Sequence, residues 1–316
     1  MPTIPTINDV QGVEPILTNM LIGYQQADAR FVASQVFPLV PVEKDSGTYY
    51  IVTKKYFFTD DLKARAPGGD FEYSGFGVET DTYSTFQWGK GLLLPDEVKA
   101  NSQLPMDLEQ VGLKQISQKS LIRKEVAFAA DFMAASVWGT TDNNSATDWD
   151  DFSAGDPQND VLTAARTVSN NTGQAANTMV LGAIVEQALL LHPNIHDVLK
   201  YTKVATPAEV MNALAPILGL ERILTGRATY TNTNEAAAFS ASAIIDDDAL
   251  ICFSDPSAGI FGVTAGKMFI WNPGGGAGAI FRDPPRQNHS DTYQHKEQWD
   301  QKATATDCGY IFLDIV

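Results

Sequence analysis

The alternation of apolar and polar positions divides this chain into stretches of different rhythm. Residues 1–45 are punctuated by Pro2, Pro5, Pro15, Pro38 and Pro41, which leaves room only for short helical pieces such as Gln26–Val36. The stretch is nonetheless apolar: Ile16, Leu17, Met20, Leu21, Ile22, Phe31, Val32, Val36, Phe37, Leu39 and Val40 exceed what a solvated tail carries. An extended apolar arm of this kind has to bury itself against something. Two β-rich runs follow, Thr48–Phe58 and Phe71–Gly89, separated by a charged segment that closes on Pro67-Gly68-Gly69. The pattern predicts a long hairpin with a Pro-Gly-Gly tip, which at about 3.3 Å per residue reaches on the order of 50 Å. A lone two-stranded ribbon is marginal in water. Its aromatics, among them Tyr50, Phe57, Phe58, Phe71, Tyr73 and Phe76, therefore predict packing on another surface, with a neighbouring subunit the natural candidate.

Asp107 precedes Gln110 by three and follows Pro105, the form of a capping box, and a helical pattern then runs to about Trp138. Leu108, Val111, Ile122, Val126, Ala129, Met133 and Val137 share one sector of the wheel, while Leu121, Phe128 and Phe132 lie opposite. A helix apolar on two sides is expected between layers or subunits. The polar stretch Thr140–Asp156 marks a boundary before an Ala-rich helix at Val161–Ser169. Strands and helices then alternate: a strand at Asn177–Leu181, a helix at Ala183–Leu191 stopped by His192-Pro193, and a short continuation to Tyr201. Thr206-Pro207-Ala208-Glu209 is a strong helix start, and that helix ends at Gly219. Strands are predicted at Glu221–Tyr230, Ala249–Phe253, Lys267–Trp271, Ala279–Arg282, Thr292–Ala305 and Gly309–Val316. The mixture defines an α+β class.

At 316 residues, 44% hydrophobic and 19% charged, the chain can bury a sizeable core in about two domains. No stretch approaches the roughly 18 consecutive apolar residues of a membrane span, and the opening Met1-Pro2-Thr3 lacks a signal peptide's basic flank. No membrane partner is expected, and the protein is expected to work where it is made or to be released by lysis. Cys252 and Cys308 each sit in an apolar run and read as buried, reduced thiols. The formal charge of -16 argues against gripping nucleic acid through its phosphates. A weakly repulsive wall would suit a container that holds nucleic acid and later lets it leave.

Candidate chemistry is thin. Gly274–Gly278 lacks the Gly-Lys-Ser/Thr ending of a phosphate loop and reads as a flexible connection. Asp246-Asp247-Asp248 reads as a solvated turn rather than a cation site. His289, His295, His192 and His196 match no metal-ligand spacing, and no serine or cysteine sits in a nucleophile arrangement. Neither enzymatic activity nor a cofactor is expected.

The order of these parts resembles the tailed-bacteriophage major capsid proteins with the Hong Kong 97 fold. Phe31–Val42 is similar to that family's arm entering its extended loop, and Asp60–Gly69 to the loop's charged turn. His192-Pro193-Asn194-Ile195, Leu199-Lys200-Tyr201 and the Thr206-Pro207 helix resemble its axial domain, and Tyr293–Lys302 with Gly309–Phe312 its terminal strands. The resemblance implies an N-terminal arm (1–45), an extended β-hairpin loop (46–95), a peripheral domain with a long spine helix (96–156), an axial domain (157–285) and peripheral terminal strands (286–316). It implies self-assembly into pentamers and hexamers of an icosahedral shell around double-stranded DNA, bound without sequence specificity. Assembly would take place in the host bacterial cytoplasm with a portal, and the subunit would end in the virion. Some relatives carry an N-terminal scaffolding segment; no coiled-coil-like extension stands here, so a separate scaffolding protein is implied. Lys54, Lys55 and Lys63 lie in the loop, but no partner Asn or acid matches a covalent crosslink. The expected contacts between subunits are Phe31, Phe37, Lys54, Lys55, Phe57, Asp60, Asp61, Lys63, Arg65, Pro67 and Phe71. Lys63 and Arg65 are expected to pair with acidic residues of adjacent subunits. The alternatives are an encapsulin-like nanocompartment of the same fold enclosing cargo enzymes, and an unrelated α+β enzyme or binding protein.

Overall fold

The computed structural model describes residues 26–101, 108–142, 148–199, 206–233, 238–274, 276, 278–283 and 289–316. Fourteen strands run through them: β1 (Leu39–Val42), β2 (Ser46–Val52), β3 (Val78–Ser84), β4 (Phe86–Pro95), β5 (Thr140–Asp142), β6 (Thr178–Gly182) and β7 (Arg222–Gly226), then β8 (Thr229–Tyr230), β9 (Ser242–Ala243), β10 (Ala249–Cys252), β11 (Gly266–Trp271), β12 (Ala279–Asp283), β13 (Ser290–Ala303) and β14 (Gly309–Phe312). Ten of them form two five-stranded sheets, while β2 with β3 and β8 with β9 make two-stranded ribbons. In the first, β1, β11, β13 and β12 follow in order and β4 pairs along β13; in the second the order is β5-β14-β10-β6-β7.

Side-chain alternation explains why the central strands β6 and β10 of the second sheet are buried at every position. Met179, Leu181 and Ile251 point to a cluster with Trp149, Phe312 and the helical residues Val161, Leu189 and Leu214, which come from the helices Pro157–Thr172, Ala183–Leu191 and Pro207–Ile217. Val180, Leu250 and Ile311 point the other way, to Phe128, Phe132, Val36 and Phe37. A sheet covered on both faces loses the polar half of its alternation. Thr206 starts the last of those helices through the capping box read in the sequence: its hydroxyl accepts from the Glu209 amide, and the Glu209 carboxylate accepts from the Thr206 amide.

The structure corrects several expectations. The long helix spans Leu108–Phe132 and stops short of Trp138, whose indole folds back to donate to the Phe132 carbonyl at 2.7 Å and so satisfies one of the free carbonyls at the helix end. Its buried face runs through Gly112, Ile116, Lys124, Glu125, Phe128 and Phe132, whereas Val111, Ile122 and Val126 are half-buried. The capping box at Asp107 lies outside the described residues. The hairpin is shorter than expected: β2 pairs with β3 over Ser46–Val52 and Val78–Ser84 only, while Lys55–Phe58 is a single helical turn. The chain leaves the ribbon at buried Thr85, whose amide donates to the Asp45 carbonyl, and β4 then joins β13 instead. Boundaries drawn at 285 do not follow the sheets. β11 and β12 pair with β13, and β14 inserts into the other sheet between β5 and β10.

Candidate intersubunit surface

The ribbon and the loop beyond it leave many large apolar side chains open to solvent. The β2 burial alternates between exposed and half-exposed positions, because one face of the ribbon leans through Tyr49 and Tyr83 on Val40, Val42 and Phe269 while the other is open. Beyond the ribbon Leu62 is 95%, Tyr73 92%, Phe57 75% and Phe71 66% exposed. Monomeric proteins rarely leave so many large apolar side chains uncovered in one stretch.

Local interactions stiffen the loop without hiding it. Ala66 to Gly69 form a β-turn closed by the Gly69 amide on the Ala66 carbonyl at 3.0 Å, with Pro67 second and Gly68 third at φ 83°, where only glycine sits without strain. Arg65 donates to the Gly69 carbonyl at 2.9 Å and lies 4.1 Å over the Phe71 ring. Lys63 pairs with Glu72 at 2.8 Å. The two cations expected to reach acids of neighbouring subunits are thus used within their own loop, each exposed contact contributing about 1 kcal/mol or less. Asp61 and Lys55 line a shallow cleft with Tyr56, Glu72 and Tyr73, and Asp60 is exposed beside it. Lys54 reaches back to Asp307 at 2.5 Å.

The ribbon's base is firmer. Tyr49 donates to Asp81 at 2.7 Å, Lys302 donates to the same carboxylate at 2.8 Å and also to the Thr82 carbonyl, and Tyr83 stacks on Phe269 at 4.7 Å. Against the opposing effect of burial, hydrogen bonds from Lys302 and Tyr49 hold the Asp81 carboxyl below its usual range. Burial, with the bond to Asp81, raises the Tyr49 phenol. On the neighbouring strand position Asp300 accepts from the Ser84 amide at 3.1 Å.

Phe31 and Phe37 are not part of this surface. Both are buried in their own subunit, Phe37 with its ring 4.6 Å from Phe132 and 6.0 Å from Phe128. The apolar arm read in the sequence finds its cover, over residues 31–42, within the chain. What attaches it was invisible in the sequence. Glu125, fully buried on the long helix, accepts from the Val32 and Ala33 amides, and its carboxyl is pushed up by burial despite those bonds. A second buried charge, Glu297, is paired with Lys124 at 2.8 Å. The free thiols Cys252 and Cys308 are buried, and burial pushes Cys252 up to about 12. Among the described residues no cluster of His, Cys, Asp and Glu could hold a metal, and no helix is long and apolar enough to cross a membrane.

An extended ribbon, a long helix laid on one sheet and a second, doubly covered sheet are the parts of the Hong Kong 97 capsid fold, and comparison with solved structures shows that this chain has it. A phage-related protein from Bordetella bronchiseptica superposes with a TM-score of 0.70 at 20% identity, over 92% of this chain and 94% of that one. The capsid of the cyanophage P-SCSP1u gives 0.64 at 11% identity, over 96% and 92%. The same fold is found in the SrpI encapsulin of Synechococcus elongatus, with a TM-score of 0.56 at 10% identity over 95% and 93%. No family model matches the sequence. In sequence the chain is a homologue of a phage major capsid protein: it is 25% identical over 230 residues to that of Burkholderia phage BcepMu, 71% of each chain.

Proposed function

We propose that this chain is the major capsid protein of a tailed bacteriophage, and that its function is structural: copies associate into pentamers and hexamers that close an icosahedral shell around double-stranded DNA. The observation that carries the reading is the uncovered loop, with Phe57, Phe71, Tyr73 and Leu62 presented to solvent on a chain with this fold. Arms and loops of little stability alone gain it by burying apolar area on a neighbour, so ordering and association are coupled. In this reading Lys54, Lys55, Phe57, Asp60, Asp61, Lys63, Arg65, Pro67 and Phe71 form the contact with the adjacent subunit. The stiffened turn lowers the entropy lost when the loop docks. The domain division runs from arm to loop, spine helix and axial core. The net charge of -16 fits a wall that encloses DNA without holding it. The subunit would assemble in the bacterial cytoplasm, with a separate scaffolding protein and a portal, and reside in the virion.

Electron microscopy and analytical ultracentrifugation of the purified protein, with and without co-expressed proteins of the same virus, test this directly. Closed shells or capsomer rings are expected. A subunit that stays monomeric at high concentration under every condition would refute the proposal. The encapsulin likeness supports a second reading, a shell around cargo enzymes. Homology to a phage capsid protein favours the first, and recovery of protein cargo rather than DNA from native particles would reverse that order.

A further inference from the structure

We infer that the four-residue helix Ala33–Val36 is a wedge locked between the two sheets, gripped at its amide end by Glu125 and at its carbonyl end by Arg222, and that it releases as one unit. The inference rests on geometry alone and holds whether or not the chain builds a shell. A helix of one turn leaves every amide at its start and every carbonyl at its end without a partner, and by itself it is too short to persist in water. Here each end is met by the complementary charge. The Glu125 carboxylate, projecting from the long helix, accepts from the Val32 amide at 3.0 Å and from the Ala33 amide at 2.9 Å. The Arg222 guanidinium, projecting from β7 in the second sheet, donates to the Gln35 and Val36 carbonyls at 3.0 Å each. A third nitrogen of the same guanidinium donates to the Thr178 hydroxyl on β6 at 3.0 Å, so its fork is aimed by the sheet. The Ser254 hydroxyl adds a further bond to the Val36 carbonyl.

The segment continues in both directions as part of the same strap. Upstream, the Gln26 amide group exchanges two hydrogen bonds with the Thr229 backbone, and the Arg30 carbonyl accepts from the Arg227 amide. Downstream, β1 pairs in parallel with β11 of the first sheet. One stretch of chain therefore touches the long helix, the first sheet and the second. Between the grips, Val32, Val36 and Phe37 fill the cluster formed by Phe128 and Phe132 with Val180 and Leu250. Gly266 has no room for a side chain there: an added Cβ would lie 2.7 Å from Phe132 and 2.8 Å from Phe37. Packing this close does not let one end loosen while the other stays seated.

Amide hydrogen exchange read by mass spectrometry on the full chain decides the matter, using Glu125→Met and Arg222→Lys. Each variant removes a grip while keeping roughly the side chain's size: methionine offers no oxygen to the two amides that one Glu125 oxygen serves, and lysine cannot span two carbonyls and a hydroxyl in the fork geometry of a guanidinium. The expected result is an acceleration of about tenfold across the whole of residues 31–42 in either variant. Val32 and Ala33 accelerate in Arg222→Lys although Arg222 touches neither, while β6 and β10 keep their protection. Acceleration confined to the end each side chain touches would overturn the single-unit wedge. So would loss of protection throughout β6 and β10, which would make the two residues general folding determinants, or no change at all.

Discussion

Replacing Lys124 with methionine removes the cation from a buried pair while filling most of its volume. Glu297 is only 2% and Lys124 11% exposed at the side chain, and their 2.8 Å contact shares the carboxylate oxygen with the Ser120 hydroxyl, also at 2.8 Å. The His295 imidazole lies 3.6 Å from that oxygen. Although burial pushes the other way, the bond and charge of Lys124 hold the Glu297 carboxyl below its ordinary value of 4.5. Stripped of its partner, the carboxylate must stay buried and uncompensated, take a proton, or draw water in, and the cost of such a break is about 3–5 kcal/mol. Urea unfolding of the unassembled subunit, followed by tryptophan fluorescence, measures it as a fall in midpoint at constant slope. The second variant, Lys124→Met with Glu297→Gln, should recover most of the loss, because no buried charge remains. The sign with pH follows from the lowered carboxyl: the pair's contribution is complete above the unfolded value near 4.5 and disappears as pH falls through the folded one. The gap between wild type and Lys124→Met should therefore narrow in acid. A cost below about 1 kcal/mol, or a double variant no better than the single, would refute the reasoning.

Other outcomes follow from the same geometry. In Gly182→Ala the new Cβ would lie 1.7 Å from the Asp246 carbonyl oxygen, a backbone atom, so more than about 3 kcal/mol should be lost, read as insoluble expression or a collapsed melting temperature. Asp248 is raised to about 6, first by burial and then by the nearby carboxylates of Asp247, Asp314 and Asp246. Its charged form therefore opposes folding, and this group's contribution to stability should decline as pH rises from about 4 to 6. Asp248→Asn should be more stable than wild type at pH 8 by on the order of 1 kcal/mol, allowing for solvent screening, and equal to it below pH 4. Phe57→Ser combined with Phe71→Ser should leave the subunit's unfolding free energy in urea within about 0.5 kcal/mol of wild type and abolish shells in electron micrographs. Arg65→Glu, which breaks the stack on Phe71 and the bond to Gly69, should lower shell yield more than subunit solubility.

Local chemistry made much of this fold legible. Thr206, Pro207 and Glu209 announced a helix start because a capping box is written within four residues, and Pro67-Gly68 announced the turn because its φ requirement is local. The strands β10, β11, β12 and β13 could be placed to within a few residues for the same reason. Partners distant in sequence could not be read. Nothing local marks Glu125 and Lys124 as buried, since their partners stand 93 residues upstream and, for Glu297, on β13. Apolar composition alone could not say whether Phe31 and Phe37 meet a sister chain or their own helix; Gly266, the residue whose missing side chain admits Phe37, lies over 200 residues away. The ribbon was overextended because aromatic richness in 53–77 is a β signal, and there it belongs to surface left uncovered.

The position of β14 sets an order on events during synthesis. It lies between β5 and β10, yet it is the last of the strands to be translated, so β5 has no partner in the sheet until Gly309–Phe312 arrives. At about 5–20 residues per second, the ribosome needs roughly 3–11 s to go from the end of β10 to that strand. Through that interval the nascent polypeptide holds an open sheet edge on β10. Subunits emerging side by side on one messenger are thereby exposed to mispairing, a hazard that chaperone capture of the nascent chain would remove.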